Sequence, residues 1–132
     1  MTKKDHIKYW IKTSDDDWSR VDFMFKNKDY VFTLFCVHLS IEKICKAIWV
    51  KDNVSNFPPR IHDLVRILEG TRAELTGDEK KFLKKLTEFQ LDGRYPDYQF
   101  KIYKTCNKQF AAEVIEKSEL VRVKLLKEKL SD

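Results

Sequence analysis

The sequence contains few residues that interrupt a helix: three glycines and three prolines among 132 residues. Strands and tight turns are normally bounded by clusters of such residues, so their scarcity argues against a β-rich fold. The apolar residues also recur at intervals of three and four rather than two, which is the period of a helix. The sequence therefore predicts an all-α fold.

Long apolar runs are absent as well. No window approaches the roughly 18 uninterrupted apolar residues of a membrane span, and the opening MTKKDHIKYW has no apolar run behind its basic residues that could form a signal peptide. We therefore expect no membrane association and a cytoplasmic location. The length suits one domain spanning residues 1–132, with residues 1–13 and 128–132 as peripheral or frayed segments.

Cysteine is sparse and unpatterned. Cys36, Cys45 and Cys106 are odd in number and lack the close paired spacing of zinc or redox motifs, which predicts free buried thiols in a reducing compartment. The sequence also has no glycine-rich phosphate loop, and it has no Ser/His/Asp or Cys/His set whose spacing suggests a catalytic site. No cofactor and no metal site is expected.

The charge is balanced rather than one-sided. The chain has 26 basic and 21 acidic residues, a formal charge of +5 and a pI near 9.0. This bias permits a polyanionic partner, but the densest basic patch, KKFLKK at residues 80–85, has the spacing of a solvated helix face.

Helix signals divide the chain into five segments. Ser14 or a following aspartate is the predicted N-cap of the first, and Thr76 with Glu79 forms a capping-box pattern that opens the fourth. The predicted helices cover about residues 15–27, 30–50, 61–72, 76 to near 93, and 99–130, the last as one helix or as two broken near Thr105. Five helices with apolar stripes that cover one another form an up-and-down bundle with a four-helix core.

Several motifs occur in a characteristic order: HLSIEKICKAIW at residues 38–49, a proline-containing turn, IHDLVRIL at residues 61–68 and GRYPDY at residues 93–98. Together they resemble the HEPN domain family, over roughly residues 9–127. The resemblance implies a helical bundle that is often a homodimer. It also implies a frequent partner, a minimal nucleotidyltransferase, in a toxin–antitoxin or defence pair. The glycine-serine and paired-aspartate signature of that partner is missing here, so any nucleotide transfer must be done by another chain.

Many HEPN proteins are metal-independent RNases that use an arginine followed four to six residues later by a histidine. No histidine follows Arg94 at that distance, and Arg60 and His62 are too close together. Cleavage of RNA without a metal needs a group that takes the 2′-hydroxyl proton, and histidine suits that task near neutral pH. The departure favours binding of nucleotides or RNA over catalysis. If an RNase activity exists, Arg94 and His62 are the catalytic candidates, with His38 as the other histidine that could act as the base.

The bend RYPDY is the predicted binding site, formed by Arg94, Tyr95, Asp97 and Tyr98. An arginine can hold two phosphate oxygens and a phenol can stack on a base; alternatively, Arg94 and Asp97 simply fasten the turn. The family pattern adds Lys46 as a second cation if the Glu42–Lys46 pair faces this bend. Otherwise that pair is interpreted as a solvated helix face.

Two histidines are interpreted separately, and the sequence leaves two alternatives for the second. His38 lies on an apolar stripe, which predicts a hydrogen-bonded core histidine. His62 either pairs with a side chain of the neighbouring helix or belongs to a site, while Asp63 is expected to cap its helix. A purely structural module that binds a partner helix bundle is the remaining alternative.

Overall fold

The computed structural model describes residues 1–90, 101 and 104–130. The regular secondary structure of these residues is all helical, with no strand among them, as the sequence predicted. The predicted site residues Arg94, Tyr95, Asp97 and Tyr98 lie outside the described residues.

The first helix, α1, spans Lys3–Lys26. Thr2 is its N-cap and forms a capping box with Asp5, because the Thr2 hydroxyl accepts from the Asp5 amide and the Asp5 carboxylate accepts from the Thr2 amide. The predicted start near Asp15 is therefore wrong. The cluster of aspartates at residues 15–17 lies in the middle of this helix and pairs with basic side chains instead of opening it.

The second helix, α2, spans Tyr30–Asp52 and is buried over most of its surface. Asp29 caps it after a short turn in which Lys28 adopts a left-handed backbone with φ of 63°. Its packing against α1 is the most extensive helix contact among the described residues. α2 is therefore the central helix, as its continuous apolar stripe predicted.

The third and fourth helices are shorter than predicted. α3 spans Leu64–Glu69 with Asp63 as N-cap, and α4 spans Gly77–Thr87 with the predicted capping box between Thr76 and Glu79. Residues 61–63 are not helical, because the extended Asp63 caps α3: its side chain accepts from the amide of Arg66 and sets the helix start there. The fourth helix ends at Thr87 and not near Gly93.

The last long helix, α5, spans Lys108–Leu125 and continues into a π-helical turn at Leu126–Leu130. Asn107 caps it, and Cys106 and Asn107 separate it from helical residues at 104–105. Of the two predicted alternatives, the break near Thr105 is confirmed.

The helices surround one hydrophobic core centred on α2. The largest fully buried apolar side chains come from α2, α3, α4 and α5: Leu34, Val37, Ile41, Ile44, Ile48, Leu64, Ile67, Leu68, Leu83, Leu86 and Leu125. The three cysteines are free and buried, as predicted. Within the described part of the chain, none of the helices has the length and apolar character that a bilayer crossing needs.

Candidate functional site

A buried carboxylate, Glu42, organises the polar groups along one side of α2. It is 5% exposed. Its Oε1 accepts a hydrogen bond from His62 Nδ1 at 2.8 Å, and its Oε2 accepts one from Lys46 Nζ at 3.1 Å. Both carboxylate oxygens are therefore occupied by donors from two separate parts of the chain.

Lys46 is buried with its partner, at 8% exposed, and its ammonium lies 5.6 Å from the ring centroid of Trp10 on α1. The interpretation of Glu42 and Lys46 as a solvated pair is wrong. The physical reason is that α2 is covered on nearly all sides, so its charged side chains must be paired inside the protein. Lys46 remains a predicted ligand contact, but the Glu42 carboxylate already neutralises its charge.

His38 is fully buried one turn before Glu42 and fixes the chain at His62. Its Nε2 donates to the backbone carbonyl of His62 at 3.1 Å, since a carbonyl can only accept. Burial lowers the pKa of His38 from 6.5 to about 4, although the Glu42 charge acts in the opposite direction. His38 is thus a neutral, hydrogen-bonded core histidine, as the sequence predicted.

His62 presents its imidazole at the surface, with its side chain 47% exposed. A carboxylate can only accept, so the Nδ1 of His62 must donate to Glu42. In the neutral ring, the lone pair is then on Nε2, which has no hydrogen-bond partner among the described residues. This arrangement leaves an oriented proton acceptor on the protein surface.

The segment before His62 connects this imidazole to the end of α2. Lys3 Nζ donates to the carbonyl oxygens of Val50 and Asn53, both at 2.7 Å, and to that of Ser55 at 3.3 Å. Farther along, Ile61 packs against the core. Residues 53–63 are consequently held at both ends while the middle of the segment faces solvent.

Two further expectations can be compared with the structure. Asp63 caps α3, as predicted, and His62 pairs with a side chain of the neighbouring helix, which was one of its two readings. Among the described residues, no group of three His, Cys, Asp or Glu side chains lies close enough to hold a metal ion. The pairing of His62 with Glu42 was not predicted from the sequence. The available signal was the position of Glu42 in a run where apolar residues occupy every face of the helix.

The comparison with protein-family models agrees with this fold. The HEPN domain model matches residues 7–129. The chain therefore belongs to the HEPN domain family, whose members have nucleotide- or RNA-related functions. The searches of curated proteins and of solved structures found no match.

Proposed function

We propose that this chain is a cytoplasmic HEPN-domain protein that binds nucleotides or RNA and is the partner of a minimal nucleotidyltransferase in a toxin–antitoxin-like module. Family membership supports the ligand class. The observation that carries the proposal is the exposed imidazole of His62, held at 2.8 Å by the buried carboxylate of Glu42. The carboxylate fixes the orientation of a ring that a ligand in solution can reach.

The His62 face suits a phosphate-bearing ligand for electrostatic reasons. With Nδ1 bound to Glu42, only Nε2 faces outward, where a protonated ring donates to a phosphate oxygen and a neutral ring accepts from a hydroxyl. The predicted residues Arg94, Tyr95, Asp97 and Tyr98 would add a bidentate phosphate contact and two stacking rings. The oriented imidazole of His62 supplies one preorganised contact for such a ligand.

Binding is tested with end-labelled single-stranded RNA and with nucleoside triphosphates, in EDTA, by fluorescence polarisation. We expect Arg94→Ala and His62→Ala each to weaken binding about tenfold or more, because each removes a charged or polar phosphate contact. Arg72→Ala, which removes an exposed arginine beyond α3, is the matched control and should bind as the wild type does. Unchanged affinity in both site variants contradicts the proposed site.

A second candidate, a metal-independent RNase, is favoured by the geometry of His62 and Glu42. His62 Nε2 would take the 2′-hydroxyl proton, the 2′-oxygen would attack phosphorus, and the bond to the 5′-oxygen would break. The products are a 2′,3′-cyclic phosphate and a 5′-hydroxyl, whose proton comes from water. Glu42 would stabilise the imidazolium that forms, and Arg94 would stabilise the negative charge on the phosphorane.

Cleavage of end-labelled RNA in EDTA separates the two candidates. An RNase loses at least about a hundredfold of its rate in His62→Ala, whereas a binding protein gives no cleavage with either variant or wild type. Cleavage that persists unchanged in both His62→Ala and Arg94→Ala preparations indicates a contaminant and rejects the RNase.

The partner and the homodimer have their own measurements. Sedimentation equilibrium should give twice the chain mass of 15.8 kDa. A tagged minimal nucleotidyltransferase encoded beside this chain should co-purify with it. A protein that is monomeric and does not bind such a partner contradicts this part of the proposal. Partner binding without affinity for any nucleotide or RNA would instead identify a structural interaction module.

A further inference from the structure

The segment between the end of α2 and His62 carries an exposed aromatic ring, Phe57, followed by an exposed arginine, Arg60. Phe57 is 76% exposed, and Arg60 is exposed and forms no ion pair with the described residues. Pro58 and Pro59 separate them. Phe57 precedes the candidate residue His62 by five positions, and an exposed ring can stack on an unpaired base of a ligand that reaches His62.

The backbone around Phe57 is anchored, so the ring is presented in a defined position. The Phe57 amide donates to Ser55 Oγ at 3.0 Å, and the Ser55 carbonyl accepts from Lys3. The two prolines restrict φ after Phe57. The ring forms a T-shaped contact with His6 of α1, with centroids 5.6 Å apart and planes at 78°. Because Phe57 is 76% exposed, the ring keeps a face available for stacking.

The other end of the segment is fixed at His62. The side chain of His38 donates to the His62 carbonyl, the His62 ring donates to Glu42, and Ile61 packs against the core. Five residue steps separate Phe57 from His62, so their Cα atoms are at most about 18 Å apart. A short stretch of single-stranded nucleic acid can span this distance and contact both residues.

We propose that residues 57–62, supported by His6, form a binding surface for single-stranded RNA. Phe57 stacks on an unpaired base, Arg60 contacts a backbone phosphate, and His62 meets the adjacent ribose or phosphate. This inference rests on the proposed function and adds Phe57 and Arg60 to the residues proposed there. Aromatic rings alternating with cationic side chains are how proteins bind single strands without reading their sequence.

The test uses a labelled single-stranded RNA of about 12 nucleotides and measures the dissociation constant by fluorescence polarisation. Phe57→Ala should raise Kd at least about fivefold, and Phe57→Trp should restore it because a larger ring still stacks. Phe23→Ala is the matched control, since Phe23 is 64% exposed elsewhere on α1, and should leave Kd unchanged. Both alanine variants remove exposed rings, so both should fold normally.

Arg60 is tested by salt dependence. Arg60→Gln should reduce the slope of log K against log salt by about 0.7, the value for one lost phosphate contact on a single strand. Arg72→Gln should leave that slope unchanged.

The outcomes distinguish this surface from the proposed function. If wild type binds RNA and Phe57→Ala binds equally well, the stacking surface is wrong while the proposed function stands. Binding of nucleotides but not of RNA likewise overturns the surface alone, and no binding of either ligand overturns both. If Phe57→Ala keeps RNA affinity but loses a co-purified nucleotidyltransferase, Phe57 is a protein contact and the RNA surface is overturned.

Discussion

The tertiary environment of Glu42 decides whether its ion pair with Lys46 is exposed or buried. From the sequence, Glu42 and Lys46 at i, i+4 match an ordinary surface pair, and the pairing itself is correct. Their burial could not be read from the spacing alone. It depends on which helices cover α2, and on His62 returning to the same carboxylate from 20 residues away.

Replacing Glu42 by Gln should lower the free energy of unfolding by about 3–5 kcal/mol, because the buried ammonium of Lys46 then has no counter-charge. Urea unfolding measures this change. Glu116→Gln, which alters an exposed glutamate on α5, should stay within about 0.5 kcal/mol of wild type. The double variant Glu42→Leu/Lys46→Met should be more stable than Glu42→Gln because it leaves no unpaired charge. Equal stability of Glu42→Gln and wild type would contradict the buried pair.

The candidate site was only partly predictable at the residue scale. His62 was singled out because histidine is the side chain suited to proton transfer near neutral pH. The neutral state of His38 and the tautomer of His62 follow from tertiary contacts that sequence spacing does not encode. The predicted contacts of Arg94, Tyr95, Asp97 and Tyr98 stay predictions.

At the scale of elements, local chemistry predicted helix starts better than helix lengths. Thr76 and Glu79 form the expected capping box, and Asp63 caps as expected. The first helix was misjudged because three aspartates in succession resemble a first turn, whereas the real cap is Thr2. Aspartates within a helix are tolerated when tertiary partners pair with them: Lys43 Nζ lies 2.6 Å from Asp17 Oδ2.

The cap of α4 gives a test at this scale. Thr76→Ala should cost about 1 kcal/mol of stability, since the amide of Glu79 loses its acceptor. Thr76→Gly should cost only a few tenths, and Thr76→Ser should be close to wild type. Thermal and urea unfolding measure the series. A similar loss for Ala and Ser would indicate that the methyl group, and not the cap, matters.

At the scale of the whole molecule, the all-α bundle followed from periodicity and from the lack of helix-breaking residues. The tertiary contacts that hold the helices together could not be predicted in this way, because they join positions that are distant in the sequence. Arg122 on α5 is an example: its Nε donates to Ser40 Oγ at 3.2 Å, its guanidinium pairs with Asp15, and it lies 5.3 Å from the centroid of Trp18. These three partners lie on α1 and α2, and each precedes Arg122 by more than 80 residues.

The stability of the whole fold should depend on pH through His38. In the unfolded chain this histidine binds a proton near pH 6.5, whereas burial lowers its folded pKa to about 4. Between these values the unfolded state binds more protons, so the free energy of unfolding falls as the pH is lowered. The loss attributable to His38 is about 2 kcal/mol by about pH 5.

Urea unfolding at several pH values, for wild type and His38→Gln, measures this contribution. The glutamine can still donate to the His62 carbonyl but does not titrate, so its stability should fall less over the same range. Parallel pH profiles for the two proteins would show that His38 does not bind a proton on unfolding. The comparison subtracts the other titrating groups, which both proteins share.

Trp10 gives the chain an optical reporter of its own. Its indole lies under the ammonium of Lys46, which is bound to the carboxylate that orients His62. A charge close to an indole shifts the wavelength of its fluorescence emission. A ligand that displaces Lys46 or Glu42 will therefore change the fluorescence of Trp10. With Trp18 and Trp49 replaced by phenylalanine, the fluorescence of Trp10 alone can be recorded, and such a displacement can be followed on the unlabelled protein in real time.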